Sequence, residues 1–309
     1  MAQTVLLTSF PDIGQNDTAA RKYFASVYKA NIIFLSKAKA QAYAEHPGPL
    51  SIKTTFKGKE FYEFDGARIA TTPGSFLLLN GGQKYASEID SEEEVESCSV
   101  FFANGFAEEV LSAMAETSDQ LLDNYGHFTK QQVYFFEKLY TPAPAFANLL
   151  HRLRVLASAG GDNELEATEI LHSLLGSMLW QHRKELQTAE QLPQIKKATR
   201  TELYRRLHLA KDMIDSCPAE KLTLQDLANV ACLSAHHFLR MFTQAFGISP
   251  HKYLVQRRLQ QAAALLTFSQ LPVQEIGVRV GFDDPAIFSR AFATQYGLSP
   301  RSFRQQSRS

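Results

Sequence analysis

A chain of 309 residues, 45% hydrophobic and 21% charged, reads as a globular protein with room for two domains. No run approaches the roughly 20 apolar residues that cross a bilayer, and Met1-Ala2-Gln3-Thr4 leads into no secretion signal, so a cytoplasmic protein without a membrane partner is expected. The formal charge of zero hides an asymmetry: residues 195–309 hold 16 basic and 8 acidic side chains, residues 1–194 hold 16 and 24.

The basic end has the sign of a surface that faces phosphates, although a chance imbalance would look the same. Cys98, Cys217 and Cys232 are odd in number and widely scattered. They read as reduced thiols, not as a disulfide framework.

Residues 30–35, 51–56, 61–64, 75–80 and 98–103 read as short strands punctuated by Gly and Pro. Asp65-Gly66 is a hairpin signal, and Pro73-Gly74 opens the fourth run. Such spacing predicts a β-sandwich or barrel over about 28–103. Glu92-Glu93-Glu94 reads as a solvated turn. Helical text follows over about 104–187. Phe106, Val110, Leu111 and Met114 share one face, and 145–157 and 165–186 are helical. In the last, Leu171, Leu174, Leu175, Met178 and Leu179 form an apolar stripe. It either packs on its own barrel or pairs across a dimer axis. Residues 188–199, with Pro193, read as a linker between a first domain at 1–187 and a second at 200–309.

Residues 200–216 read as a helix with Leu203, Leu207, Ala210 and Ile214 on one side, stopped by Cys217-Pro218. A repeat follows. Phe238-Leu239-Arg240-Met241-Phe242, Gly247, Ser249-Pro250 and Tyr253 recur 50 positions later as Phe288-Ser289-Arg290-Ala291-Phe292, Gly297, Ser299-Pro300 and Phe303. One supersecondary unit used twice is implied, and it reads as a helix-turn-helix at about 224–247 and 273–297.

In the first unit Thr223 and Asp226 suggest a capping box, and Leu224, Leu227, Ala228 and Ala231 suggest an inner face. Ser234 caps the next helix, whose inner residues are Phe238, Met241, Phe242 and Ala245. In the second, Val273, Ile276, Gly277 and Val280 face inward, Gly281-Phe282 turns, Asp284 caps and Pro285 opens the next helix. Between the units about nineteen helical residues would span roughly 28 Å. That rod sets two recognition helices near one turn of B-DNA apart, about 34 Å.

These residues resemble the AraC/XylS family of transcription regulators over about 105 positions, 202–306. The most specific part is Gly281-Phe282 through Phe288, Arg290, Phe292, Gly297, Ser299-Pro300 and Phe303-Arg304. Arg240, Phe242, Gly247, Ser249-Pro250, Tyr253-Leu254, Arg258-Leu259, Ala262 and Leu265-Leu266 match as well. The resemblance implies an α+β protein: an N-terminal cupin-like β-barrel with flanking helices, then an all-α domain with two helix-turn-helix units. It implies a sequence-specific regulator of promoter DNA, an activator, working as a homodimer with RNA polymerase and tuned by a small-molecule effector. An effector-independent regulator whose barrel only dimerises stays open. So does a cupin enzyme fused to a DNA-binding module.

The DNA-binding residues expected are Ser234, Ala235, His236, Arg240, Thr243 and Gln244 in the first unit, and Pro285, Ala286, Ser289 and Arg290 in the second. Arg240 and Arg290 could each read guanine, or pair with an acid of their own domain. His236 could touch a base or phosphate, or be a plain surface histidine. Where the family often has Lys or Arg after each recognition-helix Phe, this chain has Thr243 and Ala293. Pro285-Ala286-Ile287 offers few hydrogen-bonding groups, so the second unit is expected to position more than to read.

The metal-binding cupins carry His-x-His with a following Glu; here His46 stands alone and reads as a surface or loop residue. No metal, cofactor or catalytic residue is therefore expected, and no phosphate loop or nucleophile elbow is present. Phe56, Phe61, Tyr62, Phe64, Phe76, Tyr85, Phe101 and Phe102 either form the barrel core or line a cavity, so the effector-binding residues stay open.

Overall fold

A computed structural model describes residues 3–8, 29–115, 133–159, 163–190 and 197–307. Met1, Ala2, Tyr28 and linker residues 191–196 lie outside them. The chain divides into two compact units, one β-rich and one helical.

Among the described residues the sheet has eight strands: β1 (Thr4–Leu7), β2 (Asn31–Pro47), β3 (Ser51–Lys57), β4 (Glu60–Phe64), β5 (Ala67–Thr71), β6 (Phe76–Leu79), β7 (Lys84–Phe101) and β8 (Leu139–Tyr140). Their order is β1-β2-β7-β3-β6-β8, with β4 pairing β5 and β7. β1 runs parallel to β2, from Thr4 opposite Asn31 to Leu7 opposite Phe34. β2 and β7 are the long central pair, antiparallel from Ile32–Phe101 to Pro47–Lys84. The upper half of β7 also pairs with β3, and its lower half with β4.

The sequence reading shortened both long strands. Residues 37–46 are small, charged or polar, and become strand because β7 lies alongside. Glu92–Glu94 are exposed, as read, but they sit inside β7 and not in a turn. There the register with β2 jumps from Ala38–Val95 to Ala40–Asp90, so the extra residues bulge outward. Asp65 does turn the β4–β5 hairpin, with φ 49° there and 74° at Gly66.

Among the described residues three helices follow: α1 (Phe106–Ala115), α2 (Pro144–Ala159) and α3 (Glu164–Glu190). α3 continues past the expected linker start. Leu171, Leu174, Leu175, Met178 and Leu179 are buried in one core with Ile33, Ile52 and Val100 of the sheet. The stripe thus packs within its own unit, each leucine contributing about 1.5–3 kcal/mol. Met114 departs from its expected face and is 55% exposed. Gly176 of α3 lies near its sulfur, which a Cβ there would meet at 3.6 Å. Arg154 of α2 grips Glu96 of β7 with two bonds, 2.7 and 2.6 Å, fixing helix to sheet.

The second unit comprises α4 (Lys197–Ser216), α5 (Leu224–Val230), α6 (Ala235–Phe246), α7 (Pro250–Phe268), α8 (Val273–Arg279), α9 (Pro285–Tyr296) and α10 (Pro300–Gln306). α4 starts inside the expected linker. Its Leu207, Ala210 and Ile214 are fully buried. Asp215, near its end, accepts from Tyr253 Oη at 2.7 Å and pairs with Lys211 and Arg257, binding α4 to α7.

Arg258 of α7 joins the two halves of this unit. Its Nε donates to the Pro218 carbonyl at 2.7 Å, one terminal nitrogen to Gly281 at 2.7 Å and the other to Glu220 at 2.9 Å. The first and third carbonyls precede α5; the second lies in the turn between α8 and α9. Gly281 has φ 93°, and a Cβ there would stand 2.7 Å from the Ala219 carbonyl, so only glycine fits.

Arg258→Ala should cost about 3 kcal/mol, because three carbonyls lose a charged donor. Arg258→Lys should recover less than half, since one ammonium cannot reproduce the planar fork. Urea unfolding of the full chain checks this; equal stability of all three proteins would refute the clamp.

Candidate nucleic-acid interface

Each helix-turn-helix is set by local chemistry. At the first, the Thr223 hydroxyl accepts from Asp226 N at 3.1 Å, and Asp226 Oδ2 accepts from Thr223 N at 2.9 Å. This is the capping box read from sequence. Those bonds hold the Asp226 carboxyl below its usual range. Leu227, Ala228 and Ala231 are buried, but Leu224 is 39% exposed. It occupies the first helical position, where no preceding turn exists for it to cover. Val230, not read as core, is buried.

Ser234 caps α6, accepting from His237 N at 3.4 Å. Phe238, Met241 and Phe242 are buried beneath the helix, and Gly247 ends it with φ 70°. The opposite face is solvent: His236, Leu239, Arg240, Thr243 and Gln244 line one open surface. Ser234 is exposed and Ala235 half-buried at the start of that face. Arg240 makes no hydrogen bond or ion pair among the described residues. Thr243 Oγ1 donates back to Leu239 O at 2.7 Å, leaving only its lone pairs for a partner.

α9 follows the same plan with different means. Asp284 Oδ1 accepts from Ala286 N at 2.6 Å and Ile287 N at 3.3 Å, and Pro285 takes the first helical position. Phe288 and Phe292 are buried. A Cβ at Gly277 would stand 3.0 Å from Phe288 Cδ1, which explains the smaller residue where the first unit has Ala228. Pro285, Ala286 and Arg290 are exposed and Ser289 is half-buried. Arg290 Nε donates to Ala286 O at a long 3.4 Å and forms no ion pair among the described residues.

The two arginines therefore occupy equivalent, solvent-facing places, and neither pairs with an acid of its own domain among the described residues. Sequence reasoning passed over Thr294 and Gln295, which are exposed one turn beyond Arg290. Their helical position was legible; only a ligand-facing surface would have singled them out. It also took Arg258 as a motif match without seeing its clamp.

In the first unit, His46 is neither loop nor surface. It lies in β2, half-buried, stacks on Tyr85 at 4.7 Å, and contributes to a polar cavity with Lys53, Glu60 and Tyr62. Burial pushes its imidazole below the usual histidine value. The aromatics divide: Phe76 and Phe102 are core, while Tyr62, Tyr85 and Phe101 line the cavity. Among the described residues no three His, Cys, Asp or Glu side chains cluster as metal ligands, and no helix is long and apolar enough to cross a membrane.

A helix-turn-helix domain family matches residues 227–306, and the AraC-like ligand binding domain family matches residues 42–175. The chain is 38% identical over 94 residues to the HTH-type transcriptional regulator AlkR of Acinetobacter baylyi, covering 30% of this chain and 31% of that one. It is 24% identical over 256 residues to the arabinose operon regulatory protein of Escherichia coli, covering 82% and 79%. Among solved structures, the DNA-binding domain of the global transcriptional factor AdpA, in complex with a target DNA, is similar at 30% identity and a TM-score of 0.31, over 35% of this chain and 93% of that one. The matched segment spans only 31% of AlkR's length and 39% of LumQ's, the latter a probable transcriptional regulator of Photobacterium leiognathi.

Asp284→Ala should destabilise the second unit by about 1 kcal/mol, through loss of the α9 cap. Asp284→Asn keeps an acceptor and should lose only a few tenths. Chemical denaturation of the full chain measures both; an Ala variant as stable as the parent would remove the cap from the account.

Proposed function

We propose that this chain, which belongs to the AraC/XylS family of transcriptional regulators, binds promoter DNA sequence-specifically, with α6 and α9 in successive major grooves. The reading is carried by two exposed guanidiniums, Arg240 and Arg290, at equivalent positions of a repeated helix and without acidic partners among the described residues. Each can give guanine two bonds through O6 and N7. His236 and Gln244 flank Arg240 on the open face of α6 and extend its reach to neighbouring bases or phosphates.

Ser234 and Ala235 bring the α6 N-terminus, with its free N–H groups, against a phosphate; Thr243 accepts from a base edge through its lone pairs. Pro285, Ala286 and Ser289 offer less hydrogen bonding, so α9 fits backbone and thymine-methyl contacts around Arg290. The nineteen residues of α7 span about 28 Å, close to the groove repeat of about 34 Å.

The β-rich unit, with α1–α3, is the sensor and dimerisation domain, and the helical unit is the DNA-binding domain. Exposed Leu165 and Trp180 on α3 support a homodimer contact there. The polar cavity supports control by a small-molecule effector. The chain acts in the cytoplasm as an activator that engages RNA polymerase, and performs no catalysis itself.

Footprinting on genomic fragments that co-purify with the protein should show protection over at least two helical turns per protomer. A footprint confined to one turn would refute paired groove entry. Arg240→Ala should weaken specific binding by about 1–3 kcal/mol and relax preference at one base pair. Random DNA should be bound nearly as before; equal losses on both would place Arg240 on a phosphate.

A further inference from the structure

Lys53 is 2% exposed, in the middle of β3, yet forms no ion pair among the described residues. Its Nζ donates to Tyr85 Oη at 2.9 Å and Ser99 Oγ at 3.2 Å, and lies 3.8 Å from the Phe101 ring centroid. Two more polar groups in the same cavity are left over. Glu60 Oε2 and Tyr62 Oη are fully buried; the two groups interact with each other and with Ser97, Ser87 and Ser99, but these two oxygens lack hydrogen-bond geometry. A buried lysine whose hydrogen bonds go only to hydroxyls and that forms no ion pair is costly, and so is each orphaned polar atom.

The cavity these groups line has a free volume of about 30 Å³, enough for a small polar group. Its wall is mostly hydrogen-bond donors: Lys53, the hydroxyls of Tyr43, Tyr62 and Tyr85, and the serines around them. The one carboxyl, Glu60, is buried beside Ser97, Tyr62 and Ser87, and burial raises its affinity for a proton.

We propose that this cavity receives the carboxylate head of a small effector, bound by Lys53 Nζ and the Tyr62 hydroxyl. The inference rests on the reading that the β-rich unit is the effector domain, and it assigns the effector's chemical class. A carboxylate would give the buried ammonium the hydrogen-bonded counter-charge that Glu60 does not supply as an ion pair, and the Tyr62 hydroxyl an acceptor of good geometry. An amine would leave Lys53 unpaired, and an uncharged polyol would not neutralise it.

A pH dependence follows. The groups facing Lys53 are Glu60 and Tyr62 from β4, Tyr43 and His46 from β2, and Tyr85 and Cys98 from β7. Burial lowers Lys53 to about 7, against the raising effects of Glu60 and Cys98. Burial lifts Cys98 to about 12 and raises Tyr43 and Tyr62 as well, so these stay neutral near pH 7. An anion binds the protonated lysine. Above pH 7 the site must therefore take up a proton to bind, and below pH 7 Lys53 already holds it. Affinity should be about tenfold weaker at pH 8 than at pH 6.

The test uses the full-length protein, with acetate and propionate against acetamide, propionamide, ethylamine and glycerol. Melting-temperature shifts and titration calorimetry at pH 6 and pH 8 give the readout. Carboxylates alone should stabilise, and more strongly at pH 6. Lys53→Met should fold at least as stably as the parent, because a buried amine is removed, yet lose the carboxylate shift. Should that variant fail to fold, Tyr62→Phe should still melt at or above the parent while binding carboxylates several-fold more weakly. If amides match carboxylates, or amines or glycerol bind instead, the assigned class is wrong while the effector domain stands. If no compound of any class binds, the class and the effector reading fall together.

Discussion

Three backbone carbonyls converge on one guanidinium, and the geometry of the helical unit depends on it. Arg258 stands on α7, the helix that separates the two helix-turn-helix motifs. Its fork takes carbonyls from the entrance to the first motif and from the turn of the second. A helical rod fixes a distance; it does not fix a rotation. The clamp supplies the second constraint by holding the α8–α9 turn against the segment that leads into α5. Gly281 makes the approach possible, because any Cβ there would meet the Ala219 carbonyl. Guanidinium geometry matters here: its donors lie in one plane and point in set directions, as a lysine's do not.

Around that centre the two motifs solve one problem with different residues. The first begins α5 with a reciprocal Thr223–Asp226 box; the second begins α8 after Pro272 with no side-chain cap. Tyr253 spends its hydroxyl on Asp215, whereas its counterpart Phe303 packs on Phe292 and Tyr296. Arg304 donates to the Leu271 carbonyl at 2.6 Å, securing α10 near the start of α8. The buried aromatic ladder is the shared part. Phe238 with Phe242, and Phe288 with Phe292, sit at ring separations of 5.4 and 5.8 Å under their helices. Repetition preserved the packing that orients each recognition helix, while the caps and outer residues diverged.

That division explains what could be read from the chain. The helical unit was legible almost to the residue, because caps, left-handed stops and three-to-four apolar spacing are local signals. Ser234, Asp284, Gly247 and Gly297 all stand where their types require. The β-rich unit was legible only where turns mark it, as at Asp65-Gly66. The outer half of β2, Lys37 to His46, has little strand propensity of its own, and a partner distant in sequence decides its conformation. The same non-locality hid the cavity. Lys53 looks like the solvent side of an alternating strand, yet Ser51 through Thr55 are buried on both faces. His46 looked solitary because Tyr85, Lys53 and Glu60 join it only through the sheet. On the open faces of α6 and α9, exposure of Arg240 and Arg290 was expected from helical spacing; the absence of acidic partners among the described residues needed coordinates.

Two cations thus mark the two units, and the contrast between them is informative. Arg258 is half-buried and its donors meet three carbonyl acceptors, so the arrangement is complete in itself. Lys53 is buried more deeply; it bonds only to hydroxyls, lies against an aromatic face, and has the Glu60 carboxyl beside it without an ion pair. For stability alone, a methionine of similar volume would serve better at that position, since replacing a buried charge by an apolar isostere is often neutral or favourable. A polar cluster that leaves the sheet less stable than an apolar one is accounted for when something outside the chain completes it.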